Sequence, residues 1–184
     1  METDLSLLDA ARRMDQQALA AIFDRYATDL YNYALRLRND PLKADNVVGD
    51  VFAQFLQQLA AGKEPKTNLR SHLYKIAYRL IADGLQFSHR EASLEFADFE
   101  LDNEEGQYSM ASSPGNQTLM EGLIFAIRNH LTANQRNVII LRFMEDFSLR
   151  ETAEIVGKGV GSVKAIQSRG IAKLCKALDQ KVMT

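Results

Sequence analysis

Apolar residues recur three and four positions apart over most of the chain. In the first part Leu19, Ile22, Phe23, Tyr26, Leu30, Tyr33, Ala34 and Leu37 make one continuous stripe, the signature of an amphipathic helix. Alternation of the kind that marks half-buried strands is absent. The stripe breaks at Asn39-Asp40-Pro41, where proline suits the first turn of a new helix, and again at Gly62 to Pro65. These breaks predict three long helices, at about 17–38, 41–60 and 68–87. Further on, Leu119, Leu123, Ile124, Ile127 and Leu131 share a face, and Thr132 with Gln135 reads as a capping box opening a helix to about Met144. Ser148 with Glu151 repeats the device for a helix ending at Val156. Gly157, Gly159 and Gly161 then predict a sharp turn, after which Val163, Ile166, Ile171, Leu174 and Leu178 mark a last helix. Two short helices joined by a glycine turn form a helix-turn-helix. The expected fold is all-α, with two small helical domains joined by a linker and the helix-turn-helix in the second.

The linker is set off by composition. From Glu91 to Thr118 the chain is acidic, then rich in Ser, Gly, Pro and Asn, with no sustained apolar period. This divides the sequence into a helical domain at 1–90, an acidic linker at 91–117 and a helix-turn-helix domain at 118–184. The net charge of −2 hides a segregation along these pieces: 12 Lys/Arg against 11 Asp/Glu, then none against 7, then 10 against 6. Only the last block has the basic excess expected of a surface that meets phosphates. With 184 residues and 46% hydrophobic content, the chain can build real cores. No apolar run approaches the roughly 20 residues of a membrane span, and the first fifteen residues carry Glu2, Asp4, Asp9 and Asp15 in place of a basic leader, so a cytosolic protein is expected. The single Cys175 and the scattered His72, His89 and His130 offer neither a disulfide nor a metal-ligand spacing, and no cofactor is expected.

In a helix-turn-helix the second helix enters the major groove by its first turns while its far side packs on the bundle. Val163 would point inward, leaving Ser162, Lys164, Ser168 and Arg169, with Lys173 a turn further on, to meet base edges or phosphates. Gln167 could face either way. The segment from Leu131 to Leu178 resembles region 4 of bacterial sigma factors: Leu131, Thr132, Gln135, Arg136, Val138, Ile139, Leu141 and Arg142 match its opening. Glu151, Thr152, Ala153 and Gly157 match its middle, and Gly161, Ser162, Val163, Lys164, Arg169 and Leu174 its reading helix. The resemblance implies contact with the minus-thirty-five promoter element. It departs at Gly159, where serine is usual, at Ala165-Ile166, where Ser-Arg is common, and at Gly170, where alanine is common.

Residues 17 to about 90 resemble sigma region 2, and together the two resemblances identify the chain as a member of the extracytoplasmic-function sigma factors. Phe23 to Asp40 is typical of the first region 2 helix, and Lys43 to Phe52 parallels the helix that docks on the polymerase clamp. Asp45, Val48, Asp50, Val51, Phe52 and Phe55 are therefore the expected docking set, acidic groups beside an apolar centre. Alternatively the apolar members face the local core. Leu69 to Arg90 parallels the segment that grips the melted minus-ten element, with Leu73, Ile76, Ala77 and Asp83 in place but His72 standing for Trp, Arg79 for Asn and Gln86 for Arg. Lys63, Lys66, Thr67 and Asn68 of the preceding loop, with His72, Tyr74, Lys75, Tyr78 and Arg79, could supply the cations and aromatic faces that hold unpaired bases.

The family implies a non-enzymatic subunit whose partners are core RNA polymerase, promoter DNA and an anti-sigma factor. Its linker would thread toward the polymerase active site, where the carboxylates from Glu95 to Glu105 mimic RNA phosphates or simply tether. Two other readings stay open: an autonomous helix-turn-helix regulator that binds its operator without polymerase, and a degenerate sigma-like protein that docks on polymerase without melting DNA. No clustering of nucleophile, base and orienting group suggests an enzyme.

Overall fold

The computed structural model describes residues 3–63, 65, 68–93 and 119–182; nothing is stated of side chains at 84–93, 119–121 and 178–182. The linker carboxylates, Gln86, Lys66 and Thr67 lie outside that description. Among the described residues every regular element is a helix: α1 (Asp4–Ala11), α2 (Gln16–Arg38), α3 (Pro41–Ala60), α4 (Leu69–Ser93), α5 (Leu119–His130), α6 (Ala133–Phe143), α7 (Leu149–Val156) and α8 (Val160–Val182). The expected boundaries reappear because the local chemistry sets them. Asn39 ends α2 in the left-handed conformation and Asp40 caps α3, with Pro41 in its first turn. Both capping boxes form: Thr132 with Gln135, and Ser148 with Glu151. Gly157 closes α7 at φ 66°, a conformation that suits a residue without Cβ.

Two features differ from the sequence reading. Helix α1 was not expected; Thr3 caps it, Leu7, Leu8 and Ala11 bury its inner face, and Asp4 accepts from both Arg25 and the Tyr26 hydroxyl. Only one of the three turn glycines takes a positive φ, and α8 begins at Val160, so Gly161 lies in its first turn. Val163 is fully buried, as expected of the inward face.

Helices α1 to α4 form one bundle, with Ile22, Leu30, Val51, Phe55, Leu73 and Ile81 inside, and α5 to α8 a second, around Ile127, Val138, Leu141, Ile155 and Val163. The two pack directly on each other, chiefly α4 against α7 and α2 against α6, and their buried residues join into one core. Tyr33 donates to Asn137 Oδ1 at 3.0 Å, and Arg128 donates to the carbonyls of Leu35 and Arg36 and to Asn39 Oδ1, satisfying the free end of α2. Glu145, 5% exposed, sits at the centre of the contact. It pairs with Arg36, accepts from the Tyr74 hydroxyl at 2.6 Å and lies 4.0 Å from Arg70. Phe147 packs edge-on against Tyr74, with the Arg70 guanidinium over its ring at 4.1 Å.

Candidate nucleic-acid interfaces

Helix α8 lies on α5, α6 and α7 by its Val163 and Leu174 side. Ser162, Lys164, Ser168, Arg169 and Lys173 are exposed on it, five polar groups over three turns. Arg169 folds back to donate to the Ala165 carbonyl at 3.3 Å, a surface bond that a phosphate can replace. Gln167 is different: half-buried, it accepts from Arg142 Nε at 3.1 Å, and Arg142 also donates to the Phe147 carbonyl. Its place is in the frame that holds α8 to the bundle. Lys158 is exposed in the turn feeding α8 and Arg150 at the start of α7. Sequence reasoning passed over both; their proximity to the recognition helix in a helix-turn-helix was the available signal.

The α4 face has another character. Asn68 caps the helix by accepting from the Ser71 amide at 2.9 Å and donates its own amide to Glu151 of α7 at 3.0 Å. His72 is half-buried, its Nε2 2.5 Å from Gln58 Oε1 of α3. Burial first, then the charges of Lys75 and Arg79, hold its pKa below the ordinary imidazole value. Lys75 and Tyr78 are half-buried and Arg79 and Lys63 exposed. Burial raises the Tyr78 hydroxyl, so it stays a neutral donor. Pro65, Asn68, Ser71, His72 and Lys75 line a cleft of about 220 Å³ whose far wall includes Glu154 of α7. That volume is below the roughly 300 Å³ at which small-molecule sites begin. Tyr74 does not belong to this face: fully buried, it is spent on Glu145 and Phe147 and offers no ring to a base.

On α3 the expected docking set divides by helical phase. Val48, Val51 and Phe55 are buried in the first bundle, because they continue the inward stripe of Ala44, Val47 and Leu59. Asp45 and Asp50 are exposed, and half-buried Phe52 stacks on Phe23 of α2 at 4.7 Å. Apolar surface beside them comes from Leu42, 71% exposed, Phe23 and Leu56. The signal was present in the spacing of Leu42, Asp45, Gly49, Ala53 and Leu56, a second stripe opposite the first.

Among the described residues no His, Cys, Asp and Glu group is arranged to hold a metal ion, and no helix is long and apolar enough to cross a membrane.

Comparison with known proteins bears on the fold and the family. The family model for Sigma-70 region 2 matches residues 22–91, and that for Sigma-70 region 4 matches residues 129–176. Among curated relatives, the chain is similar to the ECF RNA polymerase sigma factor BldN of Streptomyces coelicolor, at 24% identity over 95% of this chain and 65% of BldN. It is also similar to the ECF RNA polymerase sigma factor SigX of Bacillus subtilis, at 25% identity over 89% of this chain and 85% of SigX. Of solved structures, CnrH in complex with the cytosolic domain of CnrY superposes with a TM-score of 0.70 at 21% identity, over 97% of this chain and 99% of CnrH. The sigma factor RpoE of Bartonella quintana, in complex with the anti-sigma factor NepR, gives 0.67 at 23%, over 87% and 96%. At these identities the structures speak for the fold, and the two regions, matched in order along one chain, speak for the family: this protein belongs to the extracytoplasmic-function sigma factors.

Proposed function

We propose that this chain directs core RNA polymerase to its promoters, with α8 reading the minus-thirty-five duplex and α4 capturing unpaired bases of the minus-ten element. The observation that carries the reading is the outer face of α8, where Ser162, Lys164, Ser168, Arg169 and Lys173 stand exposed on a helix whose opposite side is fixed by Val163 and Leu174. Core polymerase docks on the outer stripe of α3, with Asp45 and Asp50 pairing basic groups around Leu42, Leu56 and the Phe23–Phe52 stack. Polymerase supplies all bond chemistry, and the chain acts beside it in the cytoplasm. RpoE and CnrH are each bound to a protein named as their partner, NepR and CnrY; an anti-sigma factor of this kind is the expected partner here as well. We divide the working molecule into 1–90, 91–117 and 118–184, two DNA-contacting units and a tether.

The packing of the two units has to open for this work. The two promoter elements lie about 25 base pairs apart, or about 85 Å along the duplex at roughly 3.4 Å per pair. A compact body of this length is only about 40 Å across. While the units stay closed, α7 also covers part of the α4 face through the Asn68–Glu151 bond and the Glu154 wall of the cleft. Docking on polymerase therefore has to separate α7 from α4.

Transcription in vitro with purified core polymerase on a library of promoter fragments tests the reading. New start sites that depend on this protein are expected. Tight operator binding without polymerase and without initiation would point to an autonomous regulator instead.

A further inference from the structure

One polar group on the α4 cleft has no hydrogen-bond partner among the described residues, a ring nitrogen of His72. Its Nε2 meets Gln58 Oε1, and with the amide oxygen turned to the ring the pair is satisfied when Nε2 carries the hydrogen. A neutral imidazole has one donor and one acceptor nitrogen, which leaves Nδ1 as a lone pair with no partner among the described residues. The ring is also held sterically: the buried Phe55 presents an edge to it at 6.5 Å between centroids. Lys75 and Arg79 flank it on its own helix, Glu154 faces it from α7, and Asn68 completes the rim. The first two disfavour a second proton on the ring. An imidazole lone pair beside the Lys75 ammonium, on the face that α7 leaves when the units separate, suits a hydrogen-bond donor better than a hydrocarbon.

We propose that Gln58 is a positioning residue that fixes His72 as the Nε2–H form, so that His72 Nδ1 accepts from the exocyclic amino group of an unpaired adenine or cytosine. This rests on the reading of α4 as the minus-ten face. At the position of that amino group guanine carries O6 and thymine O4, which would meet a lone pair with a lone pair; their ring N–H donors lie one atom further along the edge. Position 72 holds a tryptophan in the family pattern described above, which could stack but not make this distinction; the histidine turns a stacking position into one that discriminates by hydrogen bonding.

The test has two independent arms. Nitrogen-15 correlation spectra of the intact chain report the His72 form directly. An acceptor-type Nδ1 and a protonated Nε2 are expected; a protonated Nδ1 in the neutral ring overturns the proposal without any variant. In the second arm, holoenzyme is assembled with the parent chain and with Gln58→Glu, and bound to forked promoter DNAs that differ at one unpaired minus-ten base. The parent should prefer adenine or cytosine at one position by about tenfold, the worth of one hydrogen bond. Gln58→Glu keeps an acceptor at Nε2 but adds a charge that favours the doubly protonated ring, so the preference should shrink or pass to thymine or guanine at pH 6. A merely structural Gln58 would lower binding of all four bases alike, and that outcome overturns the proposal. If holoenzyme does not form at all, the sigma reading fails with it; if it forms and opens promoters with no preference at any position, only this proposal fails.

Discussion

The two surfaces proposed to meet DNA are built from the same material, a long helix with cations on its outer face, yet they stand in opposite states. The α8 face is open among the described residues, with Lys164, Arg169 and Lys173 exposed and Arg169 bonded to its own helix. The α4 face is partly covered, with Asn68 taken by Glu151 and the cleft walled by Glu154. The cover comes from α7, the helix that braces α8. One element thus presents one proposed DNA surface and hides the other. Separating the units should leave the α8 face as it is and change the α4 face completely, and substitutions at the contact between the units distinguish the two.

The largest effect is expected at Phe147. Its ring is buried between Tyr74 and Arg70, and truncation of a buried phenylalanine costs about 3 kcal/mol or more. For Phe147→Ala, urea unfolding should show that loss, and a single-stranded oligonucleotide should bind the free chain more tightly because α4 is uncovered. Loss of the closed packing with no gain in single-strand binding would show that α7 does not mask α4. Glu145→Ala comes next. It leaves the Tyr74 hydroxyl without its acceptor and two arginines without their counter-charge, for about 2 kcal/mol. Arg36 and Arg70 are each about one-third exposed and can recover some hydration, which keeps the figure below that of a fully buried pair. Small-angle scattering should show a larger radius for this variant, and Glu145→Gln, which retains a partner for Tyr74, should fall between it and the parent.

These two residues also show where the sequence stopped being legible. Stripes, capping boxes and Asp40-Pro41 specify α2 to α8 because each is a local arrangement within one or two turns. The contact between units is written in Tyr33, Tyr74, Asn137, Glu145 and Phe147, which look individually like ordinary rim or turn residues; the bonded pair Tyr33 and Asn137 alone lies 104 positions apart. Tyr74 was assigned to the DNA face for that reason. Glu145 and Phe147, next to a turn, suggested nothing. Helix α1 is faint in the sequence because it is only eight residues long and its apolar face is just Leu7, Leu8 and Ala11. On α3 the apolar residues are visible in the sequence but their helical phase decides which side they take: Val48, Val51 and Phe55 are buried, and Leu42 and Leu56 are exposed.

On the open face the expected changes are smaller and do not depend on closure. Lys164→Ala and Lys173→Ala should each weaken duplex binding by the holoenzyme at all sequences and reduce the slope of log affinity against log salt by about one, as for one lost phosphate contact. A salt titration of holoenzyme binding measures this. The same substitutions should leave single-strand capture unchanged, the reverse of the pattern expected for Phe147→Ala.

The smallest expected effect is a dependence of closure on pH. Burial pushes the Glu145 carboxyl above its ordinary value near 4.5, against the opposing pull of Tyr74, Arg36 and Arg70. For a raised acid, the stabilising contribution is complete below the ordinary value and is lost as pH rises through the raised one. Acidifying from pH 7 toward 5 therefore favours the closed packing by a fraction of a kcal/mol. His72 works against this in the same window: its lowered pKa means that the folded first unit loses stability as pH falls below about 6.5. Comparison of the parent with Glu145→Gln removes the histidine, since both chains carry it. Glu151 is held below the ordinary carboxyl range, first by the Ser148 backbone amide and only later by Asn68. Its contribution is present at neutral pH and lost as pH falls through the lowered value; it belongs mainly to the start of α7, and its loss frays that helix whether the units are open or closed. Energy transfer between dyes on α3 and α8 should thus report a parent chain that closes slightly between pH 7 and 5 relative to Glu145→Gln. An opening of the parent over that range would mean that the arginines, and not burial, set the protonation of Glu145.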